Sequence, residues 1–263
     1  MTDASRQVML LERLMDDGQA SVSSLARDLG VTPSTIRRDL GRLARAGRVI
    51  RTYGGARAVD ARPTDAADGK LAAKRAIARA AAEFVDDGST IVIGSGSTAL
   101  ELARRLVDRR MTVITNALDV ATVLVDRPGI ELIVLGGVVR RGMHSMLGHL
   151  VDLAARELRA DTLFMGIGAI SLEHGLMNDS VPEILSDRAI RRMARSVVVL
   201  ADSTKFDQVA PGFVFGFEEI DTIVTDSGIQ ADTLRALRAR GVDVLVASDA
   251  AADPAPSLAA ARA

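Results

Sequence analysis

The stretch Val31-Thr32-Pro33-Ser34-Thr35-Ile36-Arg37-Arg38-Asp39-Leu40 combines hydroxyls and guanidinium groups with a helical apolar repeat. Ile36, Leu40 and Leu43 form the apolar stripe. At about 100° per residue, Ser34, Arg38 and Arg45 fall opposite that stripe, with Thr35, Arg37 and Arg42 on its flanks. Hydroxyls and guanidinium groups on one helix face suit base edges and phosphates, and Arg can hold guanine through two hydrogen bonds. The plain alternative is a surface helix with solvated arginines.

Three further positions suit a small anion or a sugar. Gly94-Ser95-Gly96-Ser97-Thr98 follows an apolar strand and opens a helix. Glycines let backbone N–H groups approach an anion, and the helix start adds positive charge and hydroxyl donors. The loop lacks the Gly-Lys-Ser/Thr ending of a Walker loop and is not a dinucleotide fingerprint. Its alternative is an ordinary glycine turn with a serine cap. Asn116, after Thr115, suits a sugar hydroxyl or a helix cap, and Gly136-Gly137 either admits a ligand or makes a turn. Lys205, in Asp202-Ser203-Thr204-Lys205-Phe206, suits a phosphate or an aldehyde oxygen, the alternative being a solvated loop lysine.

The elements that must position the arginine-bearing helix are legible around it. Val8, Leu11, Leu14 and Met15 predict a helix from about Ser5 to Asp16, stopped by Gly18. Ser23 predicts the cap of a short helix, Ser24 to Leu29, ending at Gly30. Thr32 caps the next helix, and Pro33 suits its first position. Two helices joined by a glycine-containing turn make a helix-turn-helix, with the second helix in the groove. After Gly47, residues 48–53 predict a strand, Gly54-Gly55 a tight turn and residues 56–58 a return strand. That is a wing, in which Arg51, Tyr53 and Arg57 would meet the phosphate backbone.

Charge follows the same division. Residues 1–57 hold ten Arg and six acids, whereas the whole chain carries 33 basic and 34 acidic residues. A basic head on an acidic body confines nucleic acid to the head. Lysine occurs only at 70, 74 and 205. There is no cysteine, which excludes disulfides and thiolate metal sites and is compatible with a reducing cytoplasm. No apolar run reaches the ~20 residues of a membrane span, and the first residues lack a secretory pattern. His144, His149 and His174 form no ligand cluster, so no metal is expected. Phe213, Phe215 and Phe217 alternate as core or subunit contact, and a helix over 149–158 places Leu150, Leu153 and Leu158 in the core.

From Leu71 the pattern alternates. Helices are predicted at 71–85, 97–107, 117–126, 149–158, 182–195 and 230–240, and strands at 90–93, 111–115, 131–135, 161–167, 196–201, 220–225 and 242–247. Continuous Val/Ile/Leu strands alternating with helices imply a mostly parallel sheet covered on both faces. Ligands in such sheets bind beyond the carboxyl ends of the strands.

Thr35-Ile36-Arg37-Arg38-Asp39-Leu40, followed by Arg51-Thr52-Tyr53-Gly54-Gly55-Ala56, resembles the signature of DeoR-type transcriptional regulators. The Gly94, Asn116 and Lys205 loops, Asp161-Thr162-Leu163-Phe164-Met165-Gly166 and residues 220–226 resemble the family's effector domain, so the likeness spans about 5–248. The resemblance implies an effector domain of the ribose-5-phosphate isomerase-like fold that senses phosphorylated sugars or related metabolites. It carries effector contacts to Ser95, Gly96, Ser97, Thr98, Asn116 and Lys205, to which position adds Gly136 and Gly137. The helix face and the wing give the expected DNA contacts as Thr32, Ser34, Thr35, Arg37, Arg38, Arg42, Arg45, Arg51, Tyr53 and Arg57. Two positions depart: the family commonly has Asp at Gly94 and Lys at Asp187, which points to an altered ligand.

The expected architecture is α/β: a small winged helix-turn-helix at 3–58 (helix-turn-helix about 21–46, wing 48–58), a linker at 59–70, a larger mostly parallel α/β domain at 71–248 and a flexible tail at 249–263. The expected function is a cytoplasmic, sequence-specific DNA-binding regulator, a repressor of a sugar operon. Its expected partners are double-stranded operator DNA, a phosphorylated sugar effector and further copies of itself as a dimer or tetramer, with no cofactor. The alternative is a sugar-phosphate isomerase-like enzyme with a DNA-binding appendage. Glu183 and Asp179 lie in the region a general base would occupy, without an intact isomerase acid cluster.

Overall fold

The computed structural model describes residues 6–7, 9–11, 13–14, 19–45, 48–52, 54–58, 65–140 and 143–248, with the backbone alone at 57–58 and 65–69. The chain forms two compact units, Met1–Leu71 and Ala72–Ala263. Gly18, Gly47, Tyr53 and the 249–263 tail lie outside the described residues.

In the head unit the described residues from 6 to 14 are helical, and Leu10 and Leu14 are fully buried. Strand β1 (Gln19–Ser21) leads into the helix Val22–Asp28, then the helix Pro33–Arg45. Strands β2 (Val49–Thr52) and β3 (Gly55–Ala58) follow, giving an antiparallel sheet in the order β1-β3-β2. One apolar cluster joins these elements, with Leu10, Leu25, Ile36 and Leu40 at its centre. The short helix begins two residues earlier than the sequence indicates. Ser21 caps it, accepting from the Ser24 N–H at 3.0 Å, because Ser21 keeps the extended backbone that a cap requires.

In the body unit, strands β4 (Thr90–Ile93), β5 (Met111–Thr115), β6 (Ile130–Val134), β9 (Ala160–Gly166), β12 (Ala194–Leu200), β14 (Thr222–Asp226) and β15 (Asp243–Ala247) form one sheet in the order β15-β14-β12-β9-β4-β5-β6. Every pairing in it is parallel. Side chains alternate between its faces: Val92 joins one apolar cluster, while Ile91 and Ile93 join the other. The chain runs outward from β4 to β6 and then returns to place β9 on the opposite side of β4. That reversal creates a topological switch point between β4 and β9, where the loops after the two strands splay apart.

Smaller elements were not legible in the sequence. A hairpin of β7 (Val138–Arg140) and β8 (Ser145–Leu147) lies between the strand and the helix predicted at 131–135 and 149–158. Strands β10 (Ala169–Ser171), β11 (Gly175–Asn178) and β13 (Gly212–Phe215) form a second antiparallel sheet. Strands of three or four residues hold too little periodicity to stand out from turns.

Two expectations are corrected. The helix Asp65–Ala82 takes in part of the stretch assigned to a linker over 59–70, since its alanine run favours helix despite few large apolar residues. On the helix His149–Glu157 the buried face is Val151 and Ala155, while Leu150 and Leu153 are 59% and 44% exposed. Among the described residues, no helix is long and apolar enough to cross a membrane.

Candidate nucleic-acid interface and ligand cavity

The helix Pro33–Arg45 buries Ile36, Asp39, Leu40 and Leu43. Thr32 fixes its start: its Oγ1 accepts from the Thr35 N–H at 3.3 Å and lies 2.8 and 2.9 Å from the Ser34 and Thr35 hydroxyls. Ser34, Arg37, Arg38, Arg42 and Arg45 are exposed, and Thr35 is half-buried. These residues therefore share the solvent side of one rigid element.

The arginines differ in what holds them. Arg45 folds back to donate to the Gly41 carbonyl at 3.2 Å, and Arg51 of β2 donates to the Arg37 carbonyl at 3.4 Å. Arg42 lies 4.0 Å from Asp39. The Arg37 and Arg38 guanidinium groups have no partner among the described residues, so both stand free for an external anion or base. Arg57 belongs to β3, but its side chain, like all of Tyr53, lies outside the described residues.

Asp39 is a buried carboxylate in this helix, a feature the sequence pattern did not single out. It accepts from Arg6 Nε at 2.6 Å and from Gln7 Nε2 at 3.3 Å. A buried charge without such partners would cost several kcal/mol, so the contact pins the helix to the helical residues before β1.

In the body unit a cavity of about 500 Å³ opens at the carboxyl end of the sheet, at the β4/β9 switch point. One wall is Gly94 to Thr98, where the Gly94 N–H donates to the Phe164 carbonyl at 2.9 Å. Gly96 precedes the helix Ser97–Arg105 with φ +119°, a backbone angle that excludes most side chains, and no side chain caps that helix. Its first N–H groups thus have no side-chain acceptor from the cap position, and such groups favour an anion. Lys205, in the 3-10 turn Ser203–Lys205 after β12, lines the same cavity, and so does Lys74. Neither lysine makes an ion pair among the described residues.

The acidic side of the cavity comes from the helix Val181–Arg191 and the residues before it. Glu183 is buried and pairs closely with Arg140 of β7. The Ser95 and Ser145 hydroxyls each lie 3.4 Å from its Oε1. Arg140 also reaches Asp179 at 3.4 Å. Asp187, one helical turn beyond Glu183, has its carboxyl pushed up to about 7. Burial is the largest cause and the Glu183 charge the next, opposed by a hydrogen bond from Asn178 and by Arg140.

Of the sequence-derived ligand residues, Ser95, Gly96, Ser97, Thr98 and Lys205 are brought together, whereas Asn116, Gly136 and Gly137 do not line the cavity. Asn116 is buried and donates from Nδ2 to the Met146 carbonyl at 3.2 Å, anchoring the β7–β8 hairpin. The helix Leu118–Leu124 has Ala117 at its cap position, so Asn116 does not cap it. Gly137 lies against that hairpin: a Cβ there would meet the Leu147 carbonyl oxygen at 2.6 Å. These glycines make a turn and a close backbone approach. Lys74, Arg140, Asn178 and Asp187 also line the cavity, although their sequence context assigns them no binding role. Lys74 carried one signal, the scarcity of lysine, and Asp187 another, its departure from the family's Lys. Among the described residues, no group of three or more His, Cys, Asp or Glu could hold a metal ion.

A basic winged helix-turn-helix unit and a second, α/β unit whose cavity is lined by two lysines and a glycine turn define a DNA-binding protein that carries a small-molecule site. Residues 6–62 match the DeoR-like helix-turn-helix domain, and residues 70–227 match the DeoR C-terminal sensor domain. The chain is 33% identical to a putative aga operon transcriptional repressor of Escherichia coli O157:H7, with 94% of each chain covered. It is also 33% identical to the transcriptional repressor AccR of Agrobacterium fabrum, over 85% of this chain and 89% of that one. Among solved structures, a ribose 5-phosphate isomerase A from Methanocaldococcus jannaschii is similar at 20% identity and a TM-score of 0.39, covering 53% of this chain and 55% of that chain. The chain belongs to the DeoR family of transcriptional regulators.

Proposed function

We propose that this regulator is a repressor whose hold on operator DNA is set by a phosphorylated sugar or a closely related metabolite. Arg37 and Arg38 would read or grip the DNA, with Ser34, Thr35 and Arg42 beside them, in a dimer or larger assembly that presents paired heads to paired half-sites. The observation that carries the effector reading is the cavity at the switch point. It joins the Gly94–Thr98 turn, an uncapped helix start and two lysines without ion pairs. That set suits a phosphate, and the acidic wall suits sugar hydroxyls. The ligand regulates only by binding the DNA-competent and DNA-incompetent states unequally.

The names of the relatives, which are transcriptional repressors, favour sensing over turnover. A general base must be free to take a proton, and Glu183 is committed to Arg140 and two hydroxyls. The protein would act in the cytoplasm, where operon DNA and phosphorylated sugars coexist.

The test is a gel shift on DNA upstream of the protein's own operon, with and without a panel of sugar phosphates. Specific binding that falls steeply with salt, and that one sugar phosphate changes by about tenfold or more, is the expected result. No preference over random DNA overturns the operator reading. Operator binding that no phosphorylated sugar alters overturns the effector reading. Turnover of ribose 5-phosphate would replace sensing with catalysis.

A further inference from the structure

The cavity contains one charge that a simple phosphate-and-hydroxyl ligand leaves unused. Four acids line it: Asp179, Glu183, Asp187 and Asp202. Asp179 and Glu183 share Arg140. Asp202 caps the Ser203–Lys205 turn, accepting from the Thr204 N–H at 3.1 Å. Asp187 has the Asn178 amide and, at longer range, the Arg140 charge that Glu183 already engages, and it forms no ion pair among the described residues. The neighbouring Arg188 cannot supply one, because it donates to the Phe213 and Val214 carbonyls at 2.7 and 3.1 Å. Lys74 and Lys205 line the same cavity, yet neither lies within ion-pair distance of Asp187.

Building on the reading that a phosphorylated sugar occupies this cavity, we infer that Asp187 selects an effector carrying a protonated amine, an amino-sugar phosphate, over its hydroxyl counterpart. The phosphate and the amine have separate places. The Gly94–Thr98 turn touches Glu183 through Ser95, and Asp187 stands one turn further along the same helix, a rise of about 6 Å. A sugar phosphate anchored at the glycine turn extends past Glu183 towards Asp187. An ammonium there makes a charge-assisted bond, roughly twice as strong as the hydroxyl equivalent. It also ends the cost of holding a carboxylate unpaired in a partly buried site. A second phosphate or a carboxylate at that end would meet two negative groups, so dianionic sugar acids are disfavoured. An N-acetylated sugar loses the charge and with it the preference.

The experiment is calorimetric titration of the full chain with glucosamine 6-phosphate and galactosamine 6-phosphate, each against its glucose or galactose 6-phosphate twin. At least one amino sugar should bind about tenfold tighter than its twin, since charge-assisted bonds exceed neutral ones by this order. Asp187→Asn keeps the shape and the Asn178 contact and should bring that ratio to about one, with the hydroxyl sugar's affinity changed by less than about threefold. Asp187→Ser should do the same, and a cooperative urea unfolding transition of the body in each variant reports that its fold is intact. Equal affinity of both twins in the parent, or a preference that survives in both variants, overturns the assignment while leaving the phosphorylated-sugar reading standing. If none of the four compounds binds, this inference is overturned, while the phosphorylated-sugar reading stands or falls on the wider gel-shift panel.

Discussion

In the head unit, Arg37 and Arg38 project from a single helix with no described group holding them, whereas in the body unit the charges near the cavity come from several loops and helices distant in sequence. The head presents a convex face whose chemistry is set by one stretch of chain. The body builds a concave site from the ends of β4, β9 and β12, the helix Val181–Arg191, the β7–β8 hairpin and Lys74. The difference is physical. A DNA groove accepts a protruding helix, while a small ligand must be surrounded, and surrounding it requires elements distant in sequence. The head's selectivity therefore tolerates local redesign. The body's depends on the sheet order that opens the switch point.

The comparison breaks most readily in the head's core. Leu40→Ala removes a fully buried side chain from a single small apolar cluster and should cost about 2–5 kcal/mol. Urea unfolding followed by circular dichroism should show the head melting early, with sugar-phosphate binding by the body retained. Concerted loss of both activities would mean that the units do not fold independently.

Arg38→Ala should weaken operator binding by about 1–3 kcal/mol if it contacts a base. Arg45→Ala should do less, because Arg45 is tied to the Gly41 carbonyl. Fluorescence anisotropy on the operator ranks them, and an equal loss from both would erase the distinction between free and tethered arginines.

In the body, Lys205→Ala should reduce sugar-phosphate affinity by about 1–2 kcal/mol, the scale of one charge-assisted hydrogen bond. Operator affinity without ligand should not change. Calorimetry and gel shift on one preparation separate the two.

The Asp187 carboxyl is raised to about 7 from its ordinary 3.8. The folded chain thus holds this proton where the unfolded chain has released it. The site's destabilising contribution grows as pH rises from 4 to 7 and is complete above 7. Asp187→Asn should accordingly stabilise the body by on the order of 1–2 kcal/mol at pH 8 and scarcely at all near pH 4. Denaturant midpoints at the two pH values check the sign.

The smallest effect belongs to the cap. Thr32→Ala removes the acceptor for the Thr35 N–H and should cost about 1 kcal/mol of head stability. A larger drop in operator affinity than in stability would mean that Thr32 also touches DNA.

The arginine-bearing helix was legible because its cap, proline start, apolar stripe and arginines are all local, and a 3.6-residue repeat assigns each to a face. The parallel strands were legible for the same reason, as continuous apolar runs. Asn116, Gly136 and Gly137 do not line this cavity, and a strand-end Asn and a glycine pair look alike in sequence whether they face a ligand or hold a hairpin. Leu150 and Leu153 were assigned to the core because apolar identity alone does not say which helix face is covered.

The sequence by itself determined the basic head, the helix-turn-helix with its wing, the alternating α/β body and the glycine turn with its lysine partner. Only the tertiary structure decided that β9 lies beside β4, because strand order depends on long-range packing that no local repeat encodes. That one adjacency brings Lys74, Arg140, Glu183 and Asp187 to Ser95. It also leaves Asp187 half-buried with no ion pair among the described residues, since pairing and burial belong to the assembled fold and not to any segment of it.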